Sequence, residues 1–112
     1  MEALKSLVKS VCDFLQSQTK DNAIEILKCI KSACNHVDFE KVVDLCEDEG
    51  VKDYFEVESD KQLFLIVTVS SFIQNVYIDG CYSDSVYFDL ALIVMCLSYL
   101  TNAKIETLIR ET

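Results

Sequence analysis

Gln62-Leu63-Phe64-Leu65-Ile66-Val67-Thr68-Val69-Ser70-Ser71-Phe72-Ile73-Gln74-Asn75-Val76-Tyr77-Ile78 runs for 17 residues without a charge. Strands rarely exceed about ten residues, so this length reads as helix. Asp79-Gly80-Cys81-Tyr82-Ser83-Asp84-Ser85 follows, a cluster of turn formers and helix caps. A second apolar stretch, residues 86–100, carries one charge, Asp89. The pattern predicts a buried helical hairpin with the other helices packed around it. Leu63, Phe64, Val67, Phe72, Ile73, Val76, Leu90, Ile93, Val94 and Leu97 are its expected core. A membrane-crossing helix needs about 20 apolar residues. The uncharged run is shorter and is interrupted by Thr68, Ser70, Ser71, Gln74 and Asn75, so a soluble chain is expected.

Working outward, Ser59 and Gln62 have the spacing of a capping box for this helix. Upstream, residues 2–17 place Leu4, Leu7, Val8, Val11, Cys12, Phe14 and Leu15 near one helical face. Asp21 or Asn22 caps a second helix, with Ala23, Ile26, Leu27, Ile30, Ala33 and Cys34 as its apolar stripe. Asp38 caps a third, which Gly50 is expected to terminate. Residues 51–57 read as a helical turn or two, or as an extended segment. The last helix starts at Ser83 or Ser85 and either continues or kinks near Thr101-Asn102. The rival reading makes residues 63–70 a strand, because they are rich in Val, Ile, Phe and Thr. Pro is absent and Gly occurs twice, which suits few connections and no sandwich or barrel. The expected fold is all-α, a single domain over residues 1–112 with five to six helices.

The formal net charge is −9. Such a chain repels nucleic-acid phosphate and anionic membranes, so neither is an expected partner. Glu2, Lys5 and Lys9 break up the start of the chain, which gives no leader pattern, and a cytoplasmic protein is expected. In that compartment the six cysteines should be free thiols.

Catalytic and metal-binding patterns are missing. His36 is the lone histidine, at a predicted helix end, and no CxxC pair occurs. Two glycines leave no phosphate-cradling loop. The expectation is a protein that is not an enzyme, with no cofactor and no bound metal.

Charge is concentrated instead. Residues 38–60 hold ten acids against Lys41 and Lys52, a net −8, whereas residues 1–37 sum to +1 and residues 61–112 to −2. Crowded like charges repel, so a chain that keeps them invites a functional explanation. Within the segment Tyr54 and Phe55 form an aromatic pair among carboxylates. Aromatic anchors ringed by charge suit a protein interface, and acids steer a basic partner. The candidate partner-binding residues are Asp44, Glu47, Asp48, Glu49, Asp53, Tyr54, Phe55, Glu56 and Glu58.

Asp44, Glu47, Asp48 and the Tyr54-Phe55 doublet resemble the acidic helix and aromatic doublet of nuclease-colicin immunity proteins. In size and character the chain is also similar to immunity proteins of contact-dependent growth inhibition systems. The resemblance implies a helical inhibitor that covers a basic toxin domain, a nuclease being the expected target, without chemistry of its own. Two alternatives stand beside it. One is a helical adaptor whose apolar groove takes a partner helix, as in viral Bcl-like mimics. The other follows from Asp79-Gly80-x-x-Ser83, which resembles the turn of TerB-like helical domains and implies metal binding there.

Overall fold

The computed structural model describes residues 2–112, and these form seven helices and no strand. They are α1 (Glu2–Gln16), α2 (Lys20–Ala33), α3 (Phe39–Cys46), α4 (Glu49–Val57), α5 (Lys61–Asp79), α6 (Asp84–Thr101) and α7 (Ile105–Arg110). The fold is therefore all-α, as expected, and the strand alternative over residues 63–70 falls inside α5. The count is seven rather than five to six for two reasons. Asn102 takes the left-handed conformation (φ 60°) and parts α6 from α7. The 51–57 segment is helix α4.

Helix α6 is apolar on all sides, and such a helix must be enclosed. Eleven of its residues are buried, from Val86 to Leu97 with only Phe88 half-buried among them. Helices α2, α3, α4, α5 and α7 all pack against it, α5 most extensively. Helix α1 instead pairs with α2 and touches α5 lightly. Two hydrogen bonds fasten α3 to α6: the Asp38 N–H donates to the buried Tyr87 hydroxyl (2.9 Å), and the Cys46 thiol donates to the Ala91 carbonyl (3.6 Å).

Capping follows the polar residues, but not always the ones the pattern suggests. Asp38 caps α3 and Ser83 caps α6, as expected. Helix α2 is capped by Thr19, two residues before the expected Asp21 or three before Asn22. Helix α5 is capped by Asp60 rather than by a Ser59 box. Gly50 does not end α3; it lies in the first turn of α4, which Asp48 caps. An aspartate one residue before a helix outcompetes a glycine because it satisfies an orphan N–H directly.

Two core assignments are corrected. Leu63 is 57% exposed and Val67 54% exposed. Helix α5 buries the stripe Phe64, Leu65, Thr68, Val69 and Phe72 and turns the other apolar face outward. Val8 and Cys12 of α1, also expected inward, are exposed beside that face. By length and composition alone α5 and α6 could each cross a membrane; in the fold α6 is the central buried helix.

The expectation of six free thiols is also corrected. Cys34 and Cys81 form a disulfide with a Cα–Cα distance of 5.7 Å, tying the end of α2 to the α5–α6 turn. Cys12, Cys29, Cys46 and Cys96 are free. Sequence spacing hides the pair because its partners stand 47 residues apart.

Denatured without reductant, the protein should titrate four thiols, and six after reduction. Closing a loop of that length constrains the unfolded chain, so Cys34→Ala with Cys81→Ala should cost about 4 kcal/mol in a urea titration. Phe72, fully buried, should cost about 3–5 kcal/mol when truncated to Ala.

Candidate functional site

All ten acids of residues 38–60 are exposed on the outer surface of α3, α4 and their flanks. Part of this concentration has a local structural cause. The Asp38, Asp48 and Asp60 carboxylates accept the first N–H groups of α3, α4 and α5. Glu40 and Glu49 sit in first turns, where the positive helix terminus favours them. Asp44, Glu47, Asp53, Glu56 and Glu58 have no such role. Lys52 pairs with Glu47 at 3.4 Å, whereas Lys41 reaches away to Asp84 at 3.6 Å. Most of the negative charge on this face is uncompensated.

Consecutive helical residues point about 100° apart, so the Tyr54-Phe55 doublet does not act as one unit. Phe55 is half-buried and packs against Phe64 and, edge-on, Tyr99. Tyr54 is half-exposed on the other side, against Phe64 and Phe88. Each ring borders a different hollow.

The larger hollow, about 690 Å³, opens between α4 and the ends of α3, α6 and α7. Its floor is apolar, from Phe55, Met95, Tyr99 and Ile105, and its rim carries Glu47, Glu56 and Glu58. Of the candidate residues the fold thus gathers Glu47, Phe55, Glu56 and Glu58 at one opening. Asp44, Asp48, Glu49 and Asp53 are exposed on α3, α4 and the link between them and do not line the opening.

Lys61, not foreseen as a site residue, organises this opening. It is 8% exposed, and its ammonium donates to the carbonyls of Phe55 and Glu58 while lying 4.0 Å over the Phe55 ring. The last carbonyls of a helix lack intrahelical partners, and a cation there also suits the helix dipole. Lys61 thus closes the end of α4 onto the start of α5. A lysine directly ahead of a long uncharged run was the available signal.

Asp89 is the second missed residue. It is 5% exposed, and its Oδ2 accepts from the Ser71 hydroxyl (2.9 Å) and the Asn75 amide (2.7 Å), clasping α6 to α5. Burial pushes its carboxyl above the ordinary range, and these two hydrogen bonds oppose the shift. The only charge in residues 86–100, facing a Ser and an Asn four apart, was legible as a pattern.

Candidate nucleophiles are quiet. Burial pushes the Cys46 thiol, which borders the larger hollow, up to about 12, and Glu47 and Glu106 add to the shift. Cys96 is likewise pushed up to about 12 by burial. A thiol so shifted is protonated near neutrality. His36 is exposed and stacks on Tyr82. In the Asp79-to-Ser83 turn, Gly80 ends α5 at φ 78° and Ser83 caps α6. Among the described residues no three His, Cys, Asp or Glu side chains converge as a metal site.

Comparison with protein-family models, curated proteins and solved structures gives no match.

Lys61→Met should keep the helical content but lower stability by about 1–3 kcal/mol, since the Phe55 and Glu58 carbonyls at the end of α4 lose the ammonium donor. Asp89→Asn retains an acceptor for Ser71 and Asn75 and removes the charge. A carboxyl whose folded pKa is raised binds more protons folded than unfolded, so wild-type stability falls as pH rises from the ordinary carboxyl value through the folded one. The urea midpoint of Asp89→Asn should therefore exceed that of wild type at pH 7, and the gap should close as pH falls through that window.

Proposed function

We propose that this chain is a non-catalytic binding protein that engages a basic protein partner through the α3–α4 face. The class that fits best is an immunity-type inhibitor of a toxin domain, with a nuclease as the target. One observation carries the reading: the exposed acids Glu47, Glu56 and Glu58 rim a hollow with an aromatic floor, on a segment whose other acids are exposed as well. Uncompensated acids accelerate encounter with a basic surface, and an apolar recess takes the anchor that holds it. In this reading the α5–α6 hairpin is the central scaffold that presents α3 and α4. Neither nucleic acid nor an anionic membrane is the partner, because the same charge would repel both.

A second reading has its own support. Helix α5 leaves Leu63, Ile66 and Val67 exposed, and an apolar groove lined by Val8, Cys12, Ile66 and Ile73 runs between α1 and α5. An amphipathic helix of a partner would fit there, as in the adaptor alternative.

The test uses Asp53→Lys with Glu56→Lys, two exposed acids that cap nothing. Co-expressed with a basic nuclease toxin domain, the proposed target class, wild type should protect cells. The double variant should associate at least about tenfold more slowly at low salt and should lose protection. Equal protection, with association indifferent to salt, would reduce the acidic face to a solubility feature and put the α1–α5 groove first.

A further inference from the structure

The smaller hollow, about 460 Å³, lies on the Tyr54 side of α4, between α4, α5 and α6. Tyr54 and Phe88 wall it, their rings 5.5 Å apart and edge to face. Asp84 stands at its rim, and Asp89, Ser71 and Asn75 form its polar floor. Both hydrogen bonds to Asp89 fall on Oδ2, and no described hydrogen bond reaches Oδ1. Since no buried side-chain oxygen or nitrogen among the described residues lacks a partner, Oδ1 opens to the hollow. Among the described residues no lysine or arginine pairs with Asp89; the nearby Lys41 is drawn to Asp84 and lies over the Tyr87 ring. An enclosed carboxylate with a free oxygen and no countercharge is an expensive arrangement for packing alone.

We propose that this hollow receives an arginine side chain of the basic protein partner, with the guanidinium on Asp89 Oδ1 and its plane against the Tyr54 ring. The inference rests on the basic-partner reading and names the group that partner inserts. A guanidinium suits the site better than an ammonium. It gives up less hydration, offers a planar fork to a carboxylate edge, and stacks on aromatic rings. Asp84 at the rim adds attraction and offsets the positive end of α6, whose first residue it is. Ser71 and Asn75 hold the carboxylate in place, so little reorganisation is needed when the cation arrives.

The probe is N-acetyl-argininamide, titrated into the isotope-labelled protein and followed by amide chemical shifts, with free arginine and agmatine in parallel. Saturable shifts confined to Ser71, the Asn75 side chain, Phe88 and Asp89 are expected. Asp89→Asn, which preserves the clasp, should weaken them roughly tenfold or more, because a charge-assisted hydrogen bond is lost. Tyr54→Leu should weaken them with the carboxylate intact. The blocked arginine should bind more tightly than free arginine, whose carboxylate is repelled by Asp84 and Asp89. Absence of localised shifts, or their persistence in Asp89→Asn, overturns the proposal. Tighter binding of agmatine than of the blocked arginine also overturns it, by making the hollow a small-amine site. Asp53→Lys with Glu56→Lys leaves this hollow intact, so its failure to alter partner association would sink the acidic-face reading while arginine binding here still stood.

Discussion

Helix α6 has no face that water can be left on, and the remaining helices are placed by that constraint. Its buried residues run almost without interruption from Val86 to Leu97, and five helices share the task of covering them. Burying a Leu, Ile or Val side chain contributes about 1.5–3 kcal/mol relative to exposure, so no single neighbour of α6 could leave without a large loss. The one charge inside this sheath, Asp89, is held by two donors from α5. Those bonds also set the register of the two longest helices, because an apolar interface alone permits sliding.

The same uniformity explains what the sequence could and could not tell. Length and absence of charge are enough to make residues 62–78 helical. They do not choose which side of that helix faces inward, because Leu63 and Val67 are as apolar as Leu65 and Val69. The choice is made by shape, when Phe64, Leu65 and Phe72 meet α6, and no periodicity in the residues announces it. Caps were legible in kind, since each of α2 to α6 begins after a Thr, Asp or Ser. They were less legible in position, because polar residues crowd every connection. The Cys34–Cys81 bridge is a product of the finished packing, which brings the end of α2 to the α5–α6 turn.

The acidic segment illustrates how one composition serves two purposes. Helices α3 and α4 have eight and nine residues, too short to persist alone. Aspartates at their starts and glutamates in their first turns are inexpensive ways to support them, and so is Asp60 ahead of α5. That accounts for about half of the segment's acids. Asp44, Asp53, Glu56 and Glu58 remain without a structural task, and Glu47 has only its ion pair with Lys52, so these are the ones on which a functional reading should rest. Total charge, read from composition, could not make this separation, because it depends on where each helix begins.

Helix α4 makes the separation experimentally useful. Its inner side is fixed at several points: Val51 is buried, Phe55 is held by Lys61 and Tyr99, and Tyr54 by Phe64 and Phe88. Truncating these rings to Ala disturbs the docking of the helix and any surface it presents at once, so loss of partner binding there has two causes, whereas an apolar replacement such as Leu keeps the inner side filled. Asp53 and Glu56 are exposed and make no ion pair among the described residues. Substituting them alters the electric field of the face while α4 stays seated on its aromatic contacts. An effect seen at the acids and not in stability therefore belongs to recognition, and that distinction follows from the 100° step between neighbouring helical side chains.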